Sequence, residues 1–354
     1  MFDYVPILRH GRNEQEAMET LSSELSSASG DPHLDADTVR PLLEIIDEDD
    51  FNSLSSYTGS YDEVFVDFPR YLTDRDNQNE ESVRDLISDY GDDPVRFFNA
   101  HAGKAFTPVV SGYIDPIDLT TYVSDIKRIQ REFERIGVRI FIPVDEFSDL
   151  LEDRVESILG ELRPTDAVMM DVVDIRDISK GIRSNLEFII SRIGDKDIYL
   201  LDLFEPRGDY NYNYSLVMSK DLGATGFGDF VLEPRFQEDI PPAAFQNIPR
   251  RIRQYQSSAH AVSTWEDPNH YMPVVEQMLS RGELDPDHCP FCQELKNEYD
   301  KVKSTSERTD LGTSFVKRMR MGHYQFAVLQ DELPDLDAAG SADDFDSSGY
   351  ADIT

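Results

Sequence analysis

Eight short apolar runs recur from Tyr4 to Leu232, and most of them close on a charged side chain. They are Tyr4–Leu8, Pro41–Ile46, Val64–Asp67, Phe106–Val110, Val138–Pro143, Ala167–Asp171, Ile198–Asp202 and Phe227–Leu232. Strands that are apolar throughout, separated by amphipathic helical stretches, are what a parallel sheet covered on both faces requires. Eight of them predict an α/β fold, a closed (β/α)8 barrel of the TIM type over residues 1–250. In that architecture chemistry gathers at the carboxyl ends of the strands. Arg9, Asp47, Asp67, Asp115, Asp145, Asp171, Asp202 and Glu233 stand there.

Between the runs, helical spacing predicts helices over Asn13–Ser27, Asn77–Tyr90, Pro94–His101, Asp115–Ile136, Glu146–Leu162, Asp177–Ile193 and Ser215–Lys220. The link Asp47–Tyr61 reads as a loop or a single turn. Residues 251–331 form a mainly helical extension packed on the barrel, with helices over Gln246–Gln256, Pro268–Arg281 and Phe315–Gln330 and an extended stretch over Ala259–Trp265. The acidic segment 332–354, rich in Ser and Gly, reads as a disordered tail.

The formal charge of −36 comes from 44 Asp and 26 Glu against 34 basic residues, only nine of them Lys. Asp-rich, Lys-poor composition along the whole chain is the signature of a halophilic protein. The Debye length falls to about 3 Å in molar salt, so self-repulsion is screened there. Nucleic acid is disfavoured as a partner by the acidity but not excluded, because counterion release contributes little in such salt. No run reaches the roughly twenty apolar residues of a membrane span, and the expected location is the cytoplasm. Two cysteines, Cys289 and Cys292, fit a reducing compartment.

Glu44, inside Pro41-Leu42-Leu43-Glu44-Ile45-Ile46, is the sharpest single residue. A carboxylate in a buried strand needs a cationic or hydrogen-bonding partner, or it is driven to hold its proton. Arg9, at the end of the neighbouring strand, is the expected partner, in a catalytic pair or in a structural one that fixes barrel closure. Asp67, Asp171 and Asp202 each end an apolar run, so all three are expected at one rim. There they could hold Mg²⁺ or Mn²⁺ or divide acid and base roles. The catalytic candidates are thus Glu44, Asp67, Asp171, Asp202 and Arg9. His288-Cys289-Pro290-Phe291-Cys292 has the spacing of half a zinc site, with His270 or His323 to complete it. The basic stretches Arg250–Arg253 and Lys317–Arg320 either meet phosphates or pair with internal carboxylates.

The opening Tyr4-Val5-Pro6-Ile7-Leu8-Arg9, the Pro41–Ile45 run, Val66-Asp67, Gly228-Asp229-Phe230 and Met319-Arg320-Met321-Gly322-His323-Tyr324 follow one another in the order seen in the beta protein family. The chain resembles that family over residues 3–329. The resemblance implies a barrel-like fold and a role at a phage, mobile-element or defence boundary, without a settled activity. Where the family often carries a second His after the first, Tyr324 stands here. Asp229, Glu233, Arg320 and His323 are the candidate ligand-binding residues. Two functions of different class follow. One is recognition of a protein or small-molecule partner through the barrel rim, and the other is metal-assisted hydrolysis of the phosphodiester type.

Overall fold

The computed structural model describes residues 2–9, 12–27, 36–46, 51, 54–68, 80–91, 93–113, 119–143, 145–172, 180–202, 214–231, 250–256, 261–305 and 308–332. Eight parallel strands close into a ring in chain order. They are β1 (Asp3–Arg9), β2 (Leu42–Glu44), β3 (Phe65–Asp67), β4 (Thr107–Tyr113), β5 (Gly137–Ile142), β6 (Ala167–Val172), β7 (Asp197–Asp202) and β8 (Gly226–Asp229). The expected eight-stranded barrel is therefore present.

Around the ring lie α1 (Arg12–Ser27), α2 (Leu54–Thr58), α3 (Glu80–Asp89), α4 (Pro94–Ala100), α5 (Leu119–Ile129), α6 (Asp149–Leu159), α7 (Lys180–Ile193) and α8 (Tyr214–Asp221). Alternation along each strand splits the buried residues into two sets. Val5, Ile7, Leu42, Phe65, Val109, Ala167, Met169, Tyr199, Leu201 and Phe230 fill the inside of the barrel. Their neighbours, such as Leu8, Val66, Ile140, Met170 and Leu200, pack outward against the helices. Barrel closure depends on two glycines of β8. A Cβ on Gly226 would come within 2.3 Å of the Asp3 carbonyl oxygen, and one on Gly228 within 2.3 Å of that of Val5.

After the barrel the chain forms a hairpin, β9 (Arg250–Gln256) with β10 (Ala261–Asp267), then α9 (Tyr271–Arg281), α10 (Pro290–Ser304) and α11 (Thr313–Ala327). The helix expected over Gln246–Gln256 is thus corrected to a strand over its described part. Ile252 and Gln254 are buried while Arg251 is exposed, which is period two rather than helical spacing. Helix α10 begins at Pro290, with Cys289 as its N-cap, and was not anticipated. Helix α5 is shorter than the expected Asp115–Ile136. Of the acidic segment 332–354, only Glu332 lies among the described residues. Helix α11 lies against α1 and β9, so the extension is seated on the barrel. No helix among the described residues is long and apolar enough to cross a membrane.

Candidate functional site

Parallel pairing sets Arg9 beside Glu44 and Glu44 beside Asp67, and it aligns Phe141 with Asp171. The carboxyl ends of β2, β3 and β6 therefore point their acids into the same end of the barrel. They converge on Arg139, from the middle of β5, which sequence reasoning missed. Its Nη1 donates to Glu44 Oε1 at 2.8 Å and to Asp67 Oδ2 at 2.5 Å, and its Nε donates to Asp171 Oδ2 at 2.6 Å. Arg139, Glu44 and Asp67 are fully buried and Asp171 is 1% exposed. Arg9 completes the group by donating from Nε to Glu44 Oε2 at 3.1 Å, with its side chain 11% exposed. The expected Arg9–Glu44 pair is present, as the outer part of a larger cluster.

Such a cluster has a physical cost. Three carboxylates and two guanidiniums give up their hydration in a dry environment, a loss that their mutual attraction must offset. Burial, reinforced by the charge on Glu44, pushes Asp67 up to about 6 even with Arg139 beside it. The signal for Arg139 was available in the sequence, since a lone arginine inside the apolar run Val138–Ile142 demands buried carboxylates just as Glu44 demands a cation.

Asp202 ends β7 with its backbone aligned with Asp229 on β8, and its side chain lies outside the described residues. Asp229 is outside the barrel and fully buried. Its Oδ1 accepts from Tyr4 Oη at 3.2 Å and from the Val231 amide at 2.9 Å, and Tyr324 Oη donates to Oδ2. Burial pushes Asp229 up to about 6 as well. Val231 takes a positive φ of 51°, a costly conformation for a β-branched residue, to make that amide bond. Asp229 is thus a structural clamp between β8, β1 and α11.

The remaining candidates fall elsewhere. Glu233, Asp47 and Asp115 lie outside the described residues, and Asp145 is exposed. Arg320, on α11, is pushed down to about 10 by burial and lines a small cavity with Cys292 and His323. His288, Cys289, Cys292 and His323 come together in the extension. His270, the other residue considered for completing a metal set, lies instead beside Asp310 at 3.5 Å. The two basic stretches pair internally: Arg251 with Glu266 at 2.8 Å, Lys317 with Glu14 at 2.6 Å, and Arg318 with Glu16 and Glu294.

A second ionic group closes the amino end of the barrel. Arg40 bridges Asp3 at 2.6 Å and Glu63 at 2.8 Å, and Arg135 bridges Glu63 and Asp197, both at 2.7 Å. Arg40, Glu63, Arg135 and Asp197 line an open cleft of about 500 Å³.

No protein-family model matches the chain, and no curated protein matches it. Among solved structures it is similar to the tryptophan synthase a2b2 complex of Pyrococcus furiosus, with 11% identity and a TM-score of 0.38 over 66% of this chain and 90% of that one. It is also similar to dihydrodipicolinate synthase from Aquifex aeolicus, with 11% identity and a TM-score of 0.32 over 90% of this chain and 96% of that one.

Proposed function

We propose that this chain is a recognition protein of the beta protein type, acting at a phage, mobile-element or defence boundary through its barrel rim and the extension beside it. The observation that carries the reading is the inward pairing of the rim carboxylates. Metal-assisted hydrolysis needs carboxylate oxygens free to coordinate an ion at an open mouth. Here Glu44, Asp67 and Asp171 each spend an oxygen on Arg139, within 2.8 Å, and Arg9 takes the second oxygen of Glu44. A divalent cation among them would sit against a buried guanidinium.

The family reading is supported by where the family-like segments meet. Tyr4, Asp229 and Tyr324 share one hydrogen-bonded group, and Arg9, Glu44 and Asp67 share another. Segments far apart in the chain thus serve two adjoining structural tasks.

Hydrolysis of phosphodiesters remains the competing reading, favoured by the gathering of three carboxylates at one end of the barrel. Equilibrium binding of Mg²⁺ and Mn²⁺ in molar KCl, with a chromogenic phosphodiester assay, separates the two. The recognition reading expects neither ion to bind with the stoichiometry of a site, no turnover, and no ion-dependent gain in thermal stability. Stoichiometric Mn²⁺ or Mg²⁺ with turnover, both lost in Asp67→Ala and Asp171→Ala, would replace it with the hydrolase.

A further inference from the structure

We infer that His288, Cys289, Cys292 and His323 form a closed structural zinc site that fastens the C-terminal extension together. Each of the four residues can offer a ligand atom such that all four atoms lie within 4.8 Å of one another. The His323 Nδ1 is 3.5 Å from Cys289 Sγ and 3.3 Å from Cys292 Sγ. With Zn–S of about 2.3 Å and Zn–N of about 2.0–2.1 Å, the edges of a tetrahedral Cys2His2 site are roughly 3.3–3.8 Å. The sulfur–nitrogen separations already have that length. A simple thiol–imidazole hydrogen bond explains one of them only, because Nδ1 has a single lone pair to offer, whereas a metal at the centre explains both.

The local sequence builds this geometry. Cys289 is the N-cap of α10 with Pro290 at the first helical position, and the Cys292 amide donates to Cys289 Sγ at 3.3 Å. An amide donor and a helix N-terminus both favour sulfur as thiolate, the form that binds metal. His323 is fixed from behind. Its Nε2 lies 3.0 Å from the Tyr255 carbonyl oxygen, which can only accept, so Nε2 carries the proton and the Nδ1 lone pair is turned to the sulfurs. The Gln254 Nε2 is placed 2.9 Å from the same nitrogen, and this tautomer requires that amide to be turned end for end, so that its oxygen accepts from the His323 N–H.

Close approach of the two helices comes from Gly322, next to His323. A Cβ there would come within 2.0 Å of the Phe291 ring, so only glycine lets α11 bring its histidine to the cysteines of α10. Cys289, Cys292 and His323 are 5%, 2% and 4% exposed. Four protein ligands, three of them buried and His288 partly so, describe a structural site rather than a catalytic one. The ion would join α10, α11 and, through Tyr255, the hairpin, while α11 carries the link to the barrel.

The test uses full-length protein without a histidine tag, grown with zinc and dialysed in molar KCl. Elemental analysis is expected to find equimolar zinc, retained in Asp67→Asn and lost in Cys292→Ser and His323→Gln. Should those two variants fold poorly, the wild-type chain carries the test alone. Titrating its thiols with a mercurial is expected to release zinc in step with modification, and exchange with Co²⁺ to give an intense thiolate-to-metal charge-transfer absorption. Three results would overturn the inference: substoichiometric zinc with both thiols free, a Cys289–Cys292 disulfide in the protein as isolated, or zinc that persists in Cys292→Ser.

Discussion

The two ends of the barrel use the same charges in different arrangements. At the amino end Asp3, Glu63 and Asp197 meet Arg40 and Arg135, and at the carboxyl end Glu44, Asp67 and Asp171 meet Arg9 and Arg139. The amino-end group is an alternating row, each arginine between two acids, with both arginine side chains 26% exposed. The carboxyl-end group is a star, with three acids on one arginine that water does not reach. In the row, solvent and salt absorb the surplus charge. In the star neither reaches the acids, and burial, reinforced by the charge on Glu44, pushes Asp67 up to about 6. Asp3, the least exposed acid of the row, is also raised by burial, so dryness rather than composition sets the behaviour of each end.

Removing the centre of the star should have the largest effect. Arg139→Met leaves three buried carboxylates without their common partner and is expected to cost about 3–5 kcal/mol near neutral pH, read by denaturant unfolding in molar KCl. A variant as stable as the parent would mean that the three acids are held neutral or hydrated instead. Next comes pH. Asp67 holds its proton more tightly folded than unfolded, so its contribution is complete below the ordinary carboxylate range and is lost as pH rises through about 6. The loss should be on the order of 1–3 kcal/mol. Asp67→Asn should flatten that part of the stability profile and leave the share due to Asp229, which is raised in the same direction. An unchanged profile in Asp67→Asn would assign the titration elsewhere.

At the other end Arg135→Met is expected to cost only about 1–2 kcal/mol, because its pairs are partly solvated. Salt gives the smallest and most discriminating effect. Raising KCl towards molar should narrow the gap between Arg135→Met and the parent, since the Debye length shrinks to about 3 Å, while the gap for Arg139→Met stays. Equal salt sensitivity of the two variants would erase the distinction between row and star.

The barrel was legible in the sequence because both faces of its strands are buried, which leaves continuous apolar runs that need no knowledge of register. The site was only half legible. Glu44 declared itself as a charge inside an apolar run, and Arg139 makes the same declaration in Val138–Ile142, yet only the register shows that the two meet. Asp202 was legible as the end of a strand, where its backbone is aligned with Asp229, and its side chain lies outside the described residues. In the extension, Arg250–Gln256 looked helical through its charge, although the alternation of Arg251, Ile252 and Arg253 belongs to a strand. Half of the cysteine and histidine set was plain from spacing, whereas choosing His323 over His270 required α11 to be folded against α10.

The seam between β1 and β8, crossed by α11, also fixes the order in which the molecule can be completed. Tyr4 meets its acceptor 225 positions later, and Glu14 meets Lys317 303 positions later. During synthesis from the amino terminus β1 is made long before β8, so one of its two edges waits while the rest of the ring is completed. That edge has no partner in the ring until β8 is made, and the group of Tyr4 and Asp229 is not complete until α11 adds Tyr324. A nascent chain halted before β8 would carry an exposed strand edge, the feature by which unfinished chains associate with one another.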